Sequence, residues 1–331
     1  RLLESEWTAS AVVDEAFSGD VVLGEQLRMM FSCCDPRLKE EVQIALVLNI
    51  LCGFGAQEIA GAFLAGRAAV EKRIARGKQS LAKSRRLFDL TDDDVASRLP
   101  VVQRALYLLF NEGYHSATAD SVVRTELCRE AIRLTELLAG DPRTGTPSTQ
   151  ALAALMSLHA ARLPGRLDGA GDLSSLVDQD RSTWDAALIA HGIARLEQSA
   201  RGDEISVYHL EAAIAAAHVQ APSVDRTDWR TIVELYDRLM AIAPSPVVAL
   251  NRAIAVAQRD GPDRGIDALQ TIRNAERLAV YPFYRAAFGE LEIRRGRPGD
   301  ARSHFEAAIH LARNASERRY FEKRLQSCDS K

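Results

Sequence analysis

Apolar positions along the chain recur at intervals of three and four residues, and no stretch shows the two-residue alternation of a half-buried strand. After residue 91 this periodicity predicts helices over 100–112, 122–139, 150–162, 184–200, 206–219, 229–242, 246–258, 265–275, 282–295, 298–312 and 316–326. Loops rich in Gly, Pro, Ser and Thr separate them, most plainly at 140–149 and 163–171. Upstream, 38–52 reads as an apolar helix, with Asp35-Pro36 as its N-cap and first residue and Gly53 at its end. A short helix over 56–64 sets Ile59 and Phe63 one turn apart. The break Ala65-Gly66-Arg67 follows, with Gly66 expected to provide a sharp turn between two crossing helices. The expected fold class is all-α.

The helix that starts there has two unlike faces. Val70, Ile74, Gly77 and Leu81 share one side, Lys72, Arg76, Gln79 and Lys83 project opposite, and Arg73 and Lys78 flank them. Residues 67–86 carry eight Lys/Arg against one Glu, in a chain of formal net charge −3. A cationic stripe of one sign on an otherwise acidic chain points to a polyanion docked at one place. Helix, helix, tight turn, basic helix is the plan of a helix-turn-helix reader, whose last helix lies in the major groove. Thr91-Asp92-Asp93-Asp94 then reverses the sign, predicting both a domain boundary near residue 90 and a helix N-terminus, where carboxylates meet free amides and the helix dipole. Residues 1–21, with Glu4, Glu6, Asp14, Glu15 and Asp20, read as the remnant of an acidic linker.

The last third carries a repeat. Gly289, Gly296, Ala301, Phe305 and Ala308 are spaced 7, 5, 4 and 3 residues apart, the offsets of a tetratricopeptide unit. Small residues there let paired helices approach while the aromatic fills the gap between neighbours. A degenerate copy runs through Ala253, Val256, Gly265, Leu269 and Ile272, where the glycine pattern slips. The tetratricopeptide-like part is expected over about 228–328.

Two segments resemble a known family. Gln57-Glu58-Ile59-Ala60 followed by Val70-Glu71-Lys72-Arg73-Ile74-Ala75-Arg76-Gly77-Lys78 resembles region 4 of sigma-70-type RNA polymerase sigma factors, especially the extracytoplasmic-function group. Gln26-Leu27-Arg28-Met29-Met30-Phe31-Ser32-Cys33-Cys34-Asp35-Pro36 is similar to a signature of the subgroup with a long tetratricopeptide-like extension. Further matching segments are 109–114, 178–185 and 243–253. The resemblance implies a region-4 domain over 22–90 and a helical regulatory extension over 91–331, with the region-2 domain missing, as in the C-terminal portion of a sigma factor. It also implies two partners: the −35 element of promoter DNA and the β-subunit flap of the polymerase core, with a protein or peptide partner possible for the extension. On this reading Lys72, Arg73 and Arg76 contact bases or phosphates, Arg67, Lys78 and Lys83 neutralise flanking phosphates, and Gln57 touches the backbone. One departure is that Ala68 and Ala69 stand where the family often has Ser or Thr, which leaves specificity to the long basic side chains or to methyl contacts.

Composition narrows the alternatives. At 331 residues with 47% hydrophobic positions, the chain is expected to be globular with two or more units. No apolar run approaches the ~20 residues that cross a bilayer, and a reduced cytoplasmic setting fits five scattered cysteines. Cys33-Cys34 lacks further ligands at metal-binding spacings, and Cys34 shares a helical face with Leu23, Leu27 and Met30, which suits a small buried residue. No cofactor, metal or catalytic residue is expected. Asn111-Glu112-Gly113-Tyr114-His115 and Asp178-Gln179-Asp180-Arg181 could line a pocket, but read first as a helix cap through Gly113 and as an N-cap network in which Arg181 ties two loops. Two rivals remain: a one-component helix-turn-helix regulator with a repeat-type sensor, and a repeat scaffold whose basic helix is merely surface.

Overall fold

A computed structural model describes residues 20–62, 65–83, 89–115, 123–169 and 171–329. Most of the acidic linker, Phe63, Leu64, Arg85, Arg86 and Val122 lie outside the described residues. Within them the protein is all-helical, with no strand and one antiparallel bridge, Leu167 to Leu173. The helices are α1 (Asp20–Cys33), α2 (Glu40–Ile50), α3 (Ala56–Ala62), α4 (Arg67–Ala82), α5 (Asp92–Tyr114), α6 (Thr125–Gly140), α7 (Pro147–Ala160) and α8 (Ala186–Ser199). There follow α9 (Val207–Gln220), α10 (Trp229–Ile242), α11 (Pro246–Asp260), α12 (Pro262–Gln270), α13 (Pro282–Arg294), α14 (Pro298–Leu311) and α15 (Ala315–Gln326). They form two compact units, one from the described residues up to 160 together with 186–204, the other from 161–185 and 205–329.

In the first unit α7 is the innermost helix. Its sequence, PSTQALAALMSLHA, is apolar nearly all round, and Ala151 to Leu158 are all buried. The backbone of α8 comes close at Gly192, where a Cβ would stand 2.7 Å from Leu158 Cγ. Several polar groups buried around these helices are paired across elements. Glu136 on α6 receives His191 Nε2 at 2.9 Å and Arg195 Nη2, both from α8, and Gln103 Nε2 on α5 donates to Thr149 Oγ1 at 2.8 Å.

The second unit is a succession of helices, each packed on the next. Leu210 and Ile214 of α9 meet Ile232, Val233 and Leu239 of α10 and Ala255 and Val256 of α11. Further along, α11, α12 and α13 share Leu250, Ala253, Ile266, Leu269 and Leu291. The last cluster joins Ala286, Ala301, Phe305, Ala308 and Phe321 of α13, α14 and α15. Glycine makes the α13–α14 contact possible, because a Cβ on Gly289 would stand 2.8 Å from Phe305 Cζ. Gly296 turns the chain between them at φ +72°.

Several elements differ from the sequence expectation. The sign change at residue 91 is a helix start: Thr91 Oγ1 accepts from the Asp94 N–H at 3.2 Å while Asp94 accepts from the Thr91 N–H, a closed capping box. No unit ends there, because Val95, Leu99, Val102 and Leu106 of α5 are buried and the helix packs on α1 and α2. The helix expected from residue 100 therefore starts at Asp92 and runs through Pro100, which is exposed. Asp35-Pro36 does not open α2. Asp35 instead closes a tight turn, accepting from the Arg37 N–H at 2.9 Å, and Lys39 is the N-cap residue. Gly113 lies inside α5 and caps nothing; its missing side chain admits the start of α6, since a Cβ would stand 2.8 Å from the Arg124 carbonyl and the Cys128 amide. The helix expected over 265–275 starts at Pro262, directly after Gly261 at φ +94°, and ends at Gln270.

Candidate nucleic-acid interface

The two faces of α4 separate as the periodicity requires. Val70, Ile74, Gly77 and Leu81 are its buried residues, and the helix packs on α2 and α3. Lys72, Arg76, Lys78 and Lys83 are exposed, as are Arg67 and Gln79, and Arg73 is half-buried at the flank. All the described cations expected to meet DNA thus lie on or beside the outward side of one rod. Gln57 is exposed in the first turn of α3, away from the buried Ile59 and Ala60.

Pairing sharpens this arrangement. Among the described residues, Arg67 alone of these cations forms an ion pair, its Nε standing 2.8 Å from Glu71 Oε1 one turn along, with both side chains exposed. Such a pair contributes about 0.3–0.5 kcal/mol and leaves the arginine free to exchange partners. No described carboxylate or hydrogen-bond partner occupies Lys72, Arg73, Arg76, Lys78 or Lys83. Elsewhere in the unit most arginines are engaged: Arg98 holds Asp94 and the Phe31 carbonyl, and Arg124 holds Glu58 at 2.6 Å. Unscreened like charges on one rod repel one another, and a phosphate backbone relieves that repulsion.

What holds the rod is a close crossing. A Cβ on Gly77 would stand 2.8 Å from Leu46 Cδ1 and 2.9 Å from Val42 Cγ1, so glycine lets α4 seat against α2. The expectation that Gly66 makes the turn by virtue of being glycine is corrected: its φ is −74° and nothing lies within 4 Å of an added Cβ. Gly66→Ser is therefore expected to be tolerated, since serine is a favoured N-cap. Gly77→Val is expected to lower stability by about 1–3 kcal/mol through overpacking. Thermal unfolding of the two variants checks this, and equal behaviour would remove the crossing argument.

The strap on α3 has no counterpart in the sequence reading. Glu58 Oε2 accepts from the Gly55 N–H at 2.8 Å, and Oε1 pairs with Arg124 at the start of α6. Arg124 also lies over the Phe54 ring, 5.6 Å from its centroid. A separation of 66 residues leaves no periodic signal, and only the crossing of α5 and α6 at Gly113 brings the two together.

None of the five cysteines forms a disulfide among the described residues, Cys33 and Cys34 are fully buried, and burial pushes the Cys33 thiol up to about 12. No His/Cys/Asp/Glu group among the described residues is arranged to hold a metal ion, and no described helix is long and apolar enough to cross a membrane.

Comparison with known proteins covers both units. Residues 98–200, from within α5 to just past α8, match a family model described as a family of unknown function, DUF6596. Over 300 residues the chain is 40% identical to the uncharacterized protein R00370 of Rhizobium meliloti (strain 1021), a match spanning 90% of this chain and 70% of that protein. The chain belongs to the family of that Rhizobium meliloti protein and carries the DUF6596 region within it.

Proposed function

We propose that α1–α4 form a helix-turn-helix of the sigma region-4 kind and that α4 reads the −35 element of promoter DNA. The observation that carries this reading is the pairing pattern on α4: its back face is buried, and four of its five cations, together with Lys83 at its C-cap, have no partner among the described residues. In this reading Lys72, Arg73 and Arg76 reach base edges or phosphates, while Arg67, Lys78 and Lys83 hold the flanking backbone. Gln57 sits at the start of the preceding helix, where helix-turn-helix proteins touch the backbone. The same unit would offer a groove to the polymerase β flap, and the protein would act in transcription initiation in the cytoplasm, not as an enzyme.

The later helices are proposed to be a tetratricopeptide-like regulatory extension with a protein or peptide partner. The seating of Phe305 against Gly289 supports this, with Ala301 and Ala308 buried beside it. So does the register of α12: Gly265 and Leu269 occupy the same places from the helix start as Ala301 and Phe305 on α14.

Selection from a random duplex library by the full chain tests the DNA reading. Enrichment of one asymmetric motif is expected, with log affinity falling against log salt at a slope of about −3 to −4 if three to five phosphates are neutralised. No enrichment would sink the proposal. A palindromic motif bound by a dimer would instead favour a one-component regulator.

A further inference from the structure

Residues 161–185 of the second unit fold two arginines onto one indole. The Cζ of Arg181 lies 4.9 Å and that of Arg162 5.6 Å from the Trp184 ring centroid. Arg162 is 7% exposed and Trp184 6%. A buried guanidinium needs a carboxylate to offset its charge, and even the part-exposed arginines of the second unit have one: Arg295 with Glu292, Arg313 with Glu317 and Arg324 with Glu290. Arg162 and Arg181 have no such partner among the described residues.

The donors left over point to what is missing. Arg181 Nη1 donates to the carbonyls of His218 and Ala221, at 2.7 Å and 2.5 Å, which anchors the arginine to the end of α9 without offsetting its charge. Arg181 Nη2, Arg162 Nε and Trp184 Nε1 are buried with no acceptor. His218 adds no further cation to the cluster, because burial and the two neighbouring guanidiniums push its pKa down to about 3 and keep it neutral. Asp180 is spent capping the short helix Arg181–Thr183, where it accepts from the Ser182 N–H at 2.9 Å. Glu211 and Arg162 both act on the buried Tyr236, and no ion pair among the described residues joins Glu211 to either arginine. Space is also kept clear, since a Cβ on Gly165 would stand 3.0 Å from Trp184 Nε1 and 3.3 Å from Thr183 Oγ1.

We propose that Arg162, Arg181 and Trp184 form a binding site for a small oxyanion, a carboxylate or a phosphate group, whose oxygens take up these three unpaired N–H groups. Guanidinium forks suit either oxyanion, and the indole N–H adds a neutral donor between them. Gly165 keeps the approach to the indole open. The residues all belong to the second unit, so the site does not depend on the DNA-binding reading.

Thermal unfolding of the full chain in chloride buffer, titrated at constant ionic strength with inorganic phosphate and separately with succinate, tests it. A saturable rise in Tm with at least one of the two is expected. Response to phosphate alone assigns a phosphate group, and response to succinate alone a carboxylate. Arg162→Gln and Arg181→Gln should each weaken the apparent Kd at least tenfold, and Gly165→Ala should weaken it as well. A merely structural arginine would lower Tm equally with and without the anion. Each arginine variant should lose the anion-dependent rise in Tm whatever its anion-free Tm, since each also gives up a contact with the Trp184 ring. Should either variant fail to fold, wild-type titration and Gly165→Ala carry the comparison. No saturable response to either anion, or an undiminished response in the variants that fold, overturns the proposal.

Discussion

Replacing Lys72, Arg73 and Arg76 together by alanine is expected to weaken duplex binding about 100-fold near 0.15 M salt, from the loss of three phosphate contacts at about 0.9 released counterions each. The same triple change should flatten the salt slope by nearly three, toward −1, because slope counts the contacts and affinity sums them. Folding should be almost untouched. Lys72 and Arg76 are exposed, Arg73 is half-buried, and none has a described partner to lose. Alanine is also a better helix former than either residue, so stability should stay within about 0.5 kcal/mol. Arg230→Ala on α10 is the control: it removes an exposed cation paired with Glu234 and should leave both affinity and slope unchanged. A triple variant that binds the selected duplex with unchanged slope would show that the cationic face is solvated surface. Gly77→Val supplies the complementary case, since it keeps every cation and disturbs only the seat of the helix on Leu46 and Val42.

How much of the fold and of the two sites is legible in the sequence depends on the range of the interaction. The buried face of α4 follows from the 3.6-residue period alone, and Val70, Ile74, Gly77 and Leu81 are its buried residues. Spacing also picks out Gly289 and Phe305 sixteen residues apart, because each repeat unit is a local pair of helices. Glycines mislead where residue type is read without contact. Gly66 looks like the hinge and has an ordinary backbone, whereas Gly77 and Gly113, inside helices, are the ones a Cβ would push off their neighbours. Pro100 suggests a helix start, although the capping box at Thr91 and Asp94 begins the helix two turns earlier and tolerates an exposed proline in its course. The acidic run reads as a boundary because charge reports on solvent, while the packing of α5 on α1 and α2 is set by the apolar positions between those charges. The site at Trp184 is half visible. Arg181 and Trp184 stand out in one segment, but Arg162, 19 residues before Arg181, carries no signal of its own.

Phe305→Ala is expected to destabilise the second unit by about 3–5 kcal/mol, the cost of emptying a fully buried aromatic site that its neighbours cannot refill. The ring has no exposed surface and is enclosed by Ala286, Ala301, Ala308 and Phe321. Those alanines are too short to close the void, and Gly289 opposite has no side chain to offer. Gly289→Ala alone should also destabilise, despite a helix-propensity gain of about 1 kcal/mol, because its Cβ meets the ring at 2.8–3.0 Å on three of its carbons. The pair should couple. In Gly289→Ala with Phe305→Ala the new methyl points into the vacated space, so the double change should cost less than the sum of the singles by about 0.5–3 kcal/mol. Urea denaturation followed at the second unit's transition measures all three variants against the parent. A loss below about 1.5 kcal/mol for Phe305→Ala, or strict additivity, would mean that glycine and aromatic do not share one site. The helix pair would then owe its packing to the surrounding alanines, and the repeat spacing that singles out both residues would carry no structural meaning.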